Sequence, residues 1–287
     1  MHPALGALLA GAAFIALSPI FVRVSEAGPT ATAFWRVALA VPPLWILYWL
    51  KSQPRAKSSA DRRMWILLIA AGLAFAGDLA FWHTSIKLTS VANSTLLANL
   101  ASIFVTLAAW IFLRQRPTRL FLAGLAGALA GVLMLVHTSL QFSATGLLGD
   151  ALGVVTAMFY AGYLLAVKGL RDRGESTLRL MAVATTLTAA VLLPVALAMG
   201  EPMLPETARG WAILAGLALV SHAAGQGLIA YALAHLPAAF SSVSLLFQPV
   251  MAAVFAWILL GEPLVPLQIA GGAVVLVGIY LSRRGSA

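Results

Sequence analysis

The sequence predicts an all-α integral membrane protein with ten transmembrane helices, arranged as two inverted-topology five-helix repeats. Three observations support this fold class: an apolar composition, ten membrane-length apolar runs, and a repeat that relates the two halves of the chain. Hydrophobic residues make up 61% of the 287 positions and charged residues 9%, whereas a soluble domain has about 25% charged residues. A chain this apolar needs a bilayer around it, because it cannot bury all of its apolar surface away from water.

Ten apolar runs have the length of a membrane span, which takes about 20 mostly apolar residues. They lie at residues 4–22, 30–50, 64–86, 92–113, 120–137, 145–167, 177–199, 209–233, 240–260 and 264–281. The connections between them are short and leave no room for a soluble domain. The first run has no basic residues before its apolar core and is long for a secretory signal, so we expect it to stay in the membrane as a helix.

The placement of Lys and Arg predicts the orientation. If the N-terminus is cytoplasmic, the cytoplasmic side holds most of the basic residues, namely Lys51, Arg55, Lys57, Arg62, Arg63, Arg114, Arg116, Arg119, Lys168, Arg171, Arg173, Arg179, Arg283 and Arg284. The opposite side holds Arg23, Lys87 and Arg209. This bias follows the positive-inside rule and places both termini in the cytoplasm. The net charge of +9 is then an orientation signal beside anionic lipid headgroups, and we expect no nucleic-acid partner.

A repeat with a constant shift of 147 residues relates the two halves of the chain. Residues 107–125 fall over 254–272 with seven identical residues, including the pair Trp110 and Trp257. At the same shift, ALGALL at 4–9 falls over ALGVVT at 151–156. The shared shift at separate places carries more weight than the identities, because membrane proteins reuse Ala, Gly and Leu.

The repeat divides the chain into predicted halves at 1–140 and 145–287. Each half holds five spans, an odd number, so the second half would enter the membrane upside down relative to the first. Inverted repeats are typical of secondary transporters, whose halves rock about a central site. The Gly-Glu-Pro stretch that contains Glu262 is predicted to be the tight turn between the ninth and tenth spans.

Three motifs carry a resemblance to a known family: GPTATAFWRVALA at 28–40, SIKLTSVANSTLL at 85–97, and the long run at 231–281. With these motifs the chain resembles the drug/metabolite transporter superfamily, in particular its ten-span EamA-type members and amino-acid exporters of the YddG-like kind. The positions that match family residues, and so are expected to have structural or gating roles, are Arg36, Pro249, Glu262 and Gly271. The resemblance also implies an inner-membrane location, and a central cavity lined by helices 1, 3, 4, 6, 8 and 9.

Ionisable side chains inside the spans are the first candidates for function, because each costs about 2.5–3.5 kcal/mol at the centre of a membrane helix. Asp78 lies in the middle of the third span, with Trp82 and His83 further along the same helix. Asp78 either carries a proton or binds a substrate ammonium group; the structural alternative is a hydrogen-bonding partner for another helix. For Arg36 the functional interpretation is attraction of a carboxylate or phosphate from the external side, and the structural alternative, a pair with a carbonyl or with Asp78, is favoured.

Polar and aromatic residues of other spans complete the predicted pathway. His222 and Gln226 lie one turn apart in the eighth span, which is the repeat partner of the third. Both halves would therefore present a polar pair to a central site. The further candidates are Asn99, Tyr160, Tyr163 and Gln248.

The sequence excludes several classes of protein. It contains no cysteine and no hydrolase, zinc or phosphate-binding motif, so we expect no enzyme, no catalytic residue, no metal and no other cofactor. A channel would call for a filter loop or a ring of similar groups. The family resemblance implies export of amino acids, aromatic or of broad range, or of related small metabolites, and the inverted repeat favours alternating access, with protons as a possible co-substrate. Efflux of drugs and other cationic compounds is the alternative, and a channel is the less favoured one.

Overall fold

The computed structural model describes residues 3–51, 61–137 and 146–286. Within these ranges the chain forms ten helices that are long and apolar enough to cross a membrane. They are α1 (Pro3–Arg23), α2 (Pro29–Leu50), α3 (Arg62–Leu88), α4 (Asn93–Phe112), α5 (Arg119–Val136), α6 (Leu147–Asp172), α7 (Thr177–Ala198), α8 (Ala208–Ala232), α9 (Ala238–Leu259) and α10 (Pro266–Gly285). The predicted all-α fold with ten transmembrane helices is confirmed. The basic positions Arg55 and Lys57, and the predicted boundary between the halves, lie outside the described residues.

The sixth helix is longer than its apolar run predicts. The run ends at residue 167, whereas α6 continues to Asp172. In the added turn, Lys168 pairs with Asp172 four residues on, an arrangement that stabilises a helix surface. Hydropathy alone misses such a turn because its residues are polar although they are helical.

The surface of the bundle is apolar where a soluble protein would be polar. Leu50, Phe112 and Ile258 are largely exposed, while Thr188 and Ser244 are fully buried. Their hydroxyls donate to carbonyl oxygens one turn earlier in the same helices. These two hydroxyls are thus satisfied inside the bundle and apolar groups face outward, as contact with lipid requires.

The helix pairs follow the repeat: if each helix of a packed pair is replaced by its equivalent in the other half, the new pair is also packed. Helix α5 packs along α10 and α2 along α7, and both pairs join equivalent helices of the two halves. Helix α3 packs along α6, and the corresponding pair, α8 with α1, is also formed.

Glycines bring α5 and α10 into backbone contact, and they do so symmetrically. A β-carbon added at Gly124 would lie 2.6 Å from the carbonyl oxygen of Gly278, and one added at Gly131 would lie 2.6 Å from that of Gly271. The 147-residue shift relates Gly124 to Gly271 and Gly131 to Gly278. The two contacts are therefore repeat copies of each other, and both need glycine because no side chain fits between the backbones.

Two helix ends show the same repeat in their backbone. Helices α4 and α9 are followed by residues in the left-handed region, Arg114 with φ 55° and Gly261 with φ 69°. After each of them, the next amide donates to an equivalent carbonyl: that of Gln115 to Ala109 at 3.1 Å and that of Glu262 to Ala256 at 3.3 Å. This is the usual way to satisfy carbonyls at a helix C-terminus.

Five of the ten helices are not continuous α-helices. The α-helical bonding is interrupted in α1 after Ala16, in α2 after Ala38, in α4 after Ala98 and in α9 after Ser244. Helix α8 instead contains a π-helical segment at Leu217–Gln226. Interrupted helices at membrane depth are tolerated where they are buried or line a cavity, and π-helical turns are frequent at functional sites.

The connection between α7 and α8 ties the two halves together at one end of the bundle. Glu201 accepts a hydrogen bond from the Thr30 amide at 2.8 Å and forms an ion pair with Lys87. Trp35 donates its indole N–H to the carbonyl of Met203 at 2.6 Å. Because α2 and α3 belong to the first half, these contacts cross between the halves.

Candidate functional site

A central cavity of about 120 Å³ lies between the helices that are interrupted. It is lined by residues of α1, α2, α3, α4, α6, α8 and α9. The breaks in α1, α4 and α9 all reach its wall, through Ser18, Asn99 and Leu245. The resemblance implied six of these helices; α2 is an addition and contributes Arg36.

The first half supplies the charges of the cavity. Asp78 and Trp82 face it from α3, one helical turn apart, and Arg36 faces it from α2. Arg36 is only 4% exposed, and its guanidinium lies over the ring of Phe75, 5.9 Å from the ring centre. Asn99 lines the cavity from α4 and donates its amide N–H to the Thr95 carbonyl at 2.8 Å. One cavity therefore holds a cation and an anion on neighbouring helices.

The second half supplies neutral polar groups. Tyr160 comes from α6, Gln226 from the π-helical end of α8, and Gln248 with Pro249 from α9. Gln226 is 2% exposed. The remaining wall is mostly small or apolar, and includes Ala16, Ala98, Ala101, Leu164 and Ala252.

Three of the predicted pathway residues do not line this cavity but pack behind its wall. They are His83, Tyr163 and His222. His83 is fully buried, with Nδ1 2.7 Å from the carbonyl oxygen of Leu79. His222 has Nε2 2.9 Å from the Thr185 hydroxyl of α7. The ring of Tyr163 packs at a tilt against a phenylalanine of α3, whose ring also contacts His222. The pairing of His222 with Gln226 by sequence spacing therefore does not bring both side chains to the cavity wall.

The residues predicted to be structural occupy different environments. Glu262 lies in the exposed turn after α9 and pairs with Arg23 at 2.6 Å. Gly271 lies in the α5–α10 contact, and Pro249 lines the cavity. The sequence suggested an Arg36–Asp78 pair, yet within the described ranges no ion pair of 4.0 Å or less involves either residue.

Two features of the site region were missed from the sequence. Ser18 lines the cavity at the break in α1 and is 3% exposed; Pro19 beside it was the available signal, because proline interrupts helical hydrogen bonding. Glu201 lies outside the predicted spans, where a charged residue attracts no attention. Its Cβ packs against Gly28, the glycine that opens the first of the three motifs.

The fold and the cavity together define a class of protein: a polytopic membrane protein with a small, partly charged compartment between two similar halves. The profile of the EamA-like transporter family matches the chain twice, at residues 2–137 and 147–284. The chain therefore belongs to the EamA-like transporter family. It is a multi-pass membrane transporter and not an enzyme.

Relatives of known name agree with this assignment. The chain is 29% identical over 286 residues to the pseudopaline exporter CntI of Pseudomonas aeruginosa, covering 97% of this chain and 96% of the relative. It is 30% identical to a probable terminal-alkyne amino-acid exporter of Streptantibioticus cattleyicolor, covering 86% and 79%. It is 27% identical to a probable amino-acid metabolite efflux pump of Salmonella typhimurium, covering 76% and 77%. A solved crystal structure superposes with a TM-score of 0.80 at 15% identity, covering 99% of this chain and 98% of that one, a likeness that concerns the fold alone.

Proposed function

We propose that the protein exports amino acids, aromatic or of broad range, and related small metabolites across the inner membrane. The observation that carries this proposal is the central cavity, which holds Arg36 and Asp78 together in an otherwise mild environment. A substrate with both charges is accommodated there at less cost than one with a single charge. Three relatives are named as exporters or efflux pumps, and the names of two of them, the amino-acid exporter and the amino-acid metabolite efflux pump, support the same substrate class.

Alternating access is the proposed mechanism, with halves 1–140 and 145–287 as inverted repeats that rock about the cavity. This proposal is supported by the helix pairs that follow the repeat, by the repeated glycine contacts and by the repeated helix ends. The basic residues support an orientation with both termini in the cytoplasm.

The proposed substrate pathway includes the cavity residues Asp78, Trp82, Asn99, Tyr160, Gln226 and Gln248. His83, Tyr163 and His222 support that wall from behind. Asp78 has two possible roles, binding of a substrate ammonium group or transfer of a proton. Efflux of cationic compounds is the second candidate function, because Asp78 and Trp82 lie together and a carboxylate beside an aromatic ring suits a cation.

Counterflow in proteoliposomes tests the proposed function. Vesicles preloaded with one unlabelled amino acid at a time are given labelled phenylalanine outside, with and without a pH gradient. We expect exchange with several amino acids in the absence of a gradient. Absence of exchange with every amino acid would contradict the amino-acid proposal, and exchange with cationic dyes instead would favour the second candidate. Steady flux without any exchange would contradict alternating access.

The same vesicles examine the part played by protons. Asp78→Asn is compared with Asp172→Asn, which removes a half-exposed carboxylate at the end of α6. If only gradient-driven accumulation is lost in Asp78→Asn, Asp78 carries the proton. If exchange is weakened as well, Asp78 binds the substrate. The control variant should behave like the wild type.

A further inference from the structure

Arg36 is a buried cation that forms no ion pair of 4.0 Å or less with any residue in the described ranges. Its side chain is 4% exposed, and its Nε is buried without a hydrogen-bond partner. The Phe75 ring beneath it can hold the guanidinium in place but cannot neutralise it. A buried charge is stable only when it is paired and hydrogen-bonded, so this arginine is suited to an anionic group that enters the cavity.

Asp78 presents the opposite charge to the same space. It is partly open to the cavity from α3. Trp82, one turn away on the same helix, gives this part of the wall an aromatic surface. A carboxylate next to an indole ring is a suitable environment for an ammonium group, which gains both a charge-assisted hydrogen bond and a cation–π contact.

We propose that Arg36 and Asp78 are the two poles of a zwitterion site, in which Arg36 binds the carboxylate of the substrate and Asp78 binds its ammonium group. This proposal rests on the proposed function and deepens it, since it assigns Arg36 to substrate binding as well as to the fold. The apolar wall contributed by Ala98, Ala101 and Leu164 then receives the side chain of the substrate.

The arrangement also explains how singly charged compounds are rejected. A cation without a carboxylate leaves Arg36 buried and unpaired, and an anion without an amine leaves Asp78 unpaired. Specificity of this kind depends on the groups that a wrong ligand leaves unsatisfied. A charged partner that is left unpaired in a closed site weakens binding by about tenfold or more.

Competition with matched analogues tests the two poles. Labelled phenylalanine counterflow is inhibited by phenylalanine, by phenethylamine, which has no carboxylate, and by 3-phenylpropionate, which has no amine. For the wild type we expect both analogues to inhibit at least about tenfold more weakly than phenylalanine. In Arg36→Gln, phenylalanine should weaken because it loses the partner of its carboxylate, and phenethylamine should inhibit at least as well as in the wild type because it no longer leaves a cation unpaired, so the preference for phenylalanine should disappear. In Asp78→Asn, phenylalanine should weaken to the level of 3-phenylpropionate.

Two further variants separate binding from a structural role. Arg36→Lys keeps the charge and should recover part of the preference for phenylalanine over phenethylamine. Arg23→Gln removes an exposed arginine outside the cavity and should leave all three inhibition constants unchanged. If Arg36→Gln and Asp78→Asn weaken all three compounds equally, the two residues stabilise the fold or each other, and the proposal is overturned.

Thermal stabilisation of the protein in detergent keeps the proposal testable when exchange is absent. Phenylalanine and leucine are compared with phenethylamine and isoamylamine as cations, and with 3-phenylpropionate and 4-methylpentanoate as anions. A shift in melting temperature for the zwitterions alone, lost in Arg36→Gln, supports the site even if no amino acid is exchanged, in which case only the proposed function fails. Equal shifts for a zwitterion and its cationic analogue, or no shift for any zwitterion, contradict the two-pole site.

Discussion

The two halves of the chain repeat the scaffold but not the cavity. Gly124 and Gly131 in the first half meet Gly278 and Gly271 in the second through contacts that are copies of each other. The chain also turns in the same left-handed conformation after α4 and after α9. Backbone packing has thus kept the symmetry of the repeat.

The side chains around the cavity do not follow this symmetry. Arg36 and Asp78 both belong to the first half, and the 147-residue shift places Val183 and Gly225 at the equivalent positions. The second half contributes Gln226 and other neutral groups instead. The difference teaches that the scaffold and the site obey separate demands: backbone packing keeps the repeat, whereas the proposed zwitterion site needs unlike walls.

The largest expected effect concerns the symmetric contact. Gly278→Ala would place a β-carbon 2.5 Å from the Ala128 amide nitrogen and 2.6 Å from the Gly124 carbonyl oxygen. Because neither backbone can give way, we expect the free energy of unfolding to fall by about 1–3 kcal/mol. Gly131→Ala should cost about the same, since its contact is the repeat copy. Unfolding by SDS titration in mixed micelles measures both variants.

Gly127→Ala is the matched control for these substitutions. Its β-carbon would meet only the Cα of Gly278 at an ordinary 3.9 Å. It should be neutral, or stabilise the helix by up to about 1 kcal/mol. A clear difference between Gly131→Ala and Gly278→Ala would break the claim that the scaffold is symmetric.

The next effect concerns the contact of Glu201, in the second half, with residues of the first half. The Glu201 side chain is 9% exposed and holds the Thr30 amide and the Lys87 ammonium group. Glu201→Gln leaves Lys87, whose side chain is 31% exposed, without its counter-ion, so we expect the free energy of unfolding to fall by about 1–3 kcal/mol. Glu262→Gln breaks a pair whose side chains are 67% and 50% exposed and should cost less than about 1 kcal/mol. Equal losses in the two variants would show that burial does not set the strength of these pairs.

A smaller effect distinguishes the two equivalent turns. Arg114 adopts a left-handed conformation that favours glycine, whereas the equivalent position, Gly261, is already a glycine. Arg114→Gly should raise the free energy of unfolding by about 0.5–1 kcal/mol, and Gly261→Ala should lower it by about 1 kcal/mol. Changes of the same sign in both variants would contradict the equivalence of the turns.

The smallest effect is a pH dependence at the start of α8. The hydrogen bonds that Glu26 accepts from the Thr207 hydroxyl and from the Thr207 and Glu206 amides hold the pKa of its carboxyl below the usual range. A lowered pKa in the folded state stabilises the protein above the unfolded pKa of about 4.3, and this stability is lost as the pH falls through the folded pKa. Thr207→Ala should move the pKa of Glu26 upward. NMR titration of a protein with labelled glutamate carboxyl groups measures the change, and an unchanged pKa would contradict the assigned cause.

The ten helices could be predicted from hydropathy because a bilayer requires apolar runs of a fixed length. Asp78 also stood out, since an acid in mid-membrane is rare and costly. The rotation of each helix could not be predicted. Both the lipid-facing and the protein-facing sides of a membrane helix are apolar, so periodicity does not tell whether His83 or His222 faces a cavity. Close contacts, such as the one between Gly11 and Gly225, decide that rotation.

The role of Glu201 was also beyond prediction, for a different reason. Its partners lie 114 and 171 residues earlier in the chain, at Lys87 and Thr30. No local pattern announces a contact between such distant segments. Thr30 belongs to the sequence motif at 28–40, but Glu201, which accepts its hydrogen bond, lies in the connection between α7 and α8 of the other half.

The π-helical segment of α8 bears on how the length of the helix can change. Each hydrogen bond in such a segment spans one residue more than in an α-helix. Deleting one residue there would let Leu217–Gln226 close as ordinary α-helix, without breaking the chain of hydrogen bonds on either side. Insertions and deletions in a membrane protein normally accumulate in its loops. In this helix, a stretch within the bilayer has room to lose a residue.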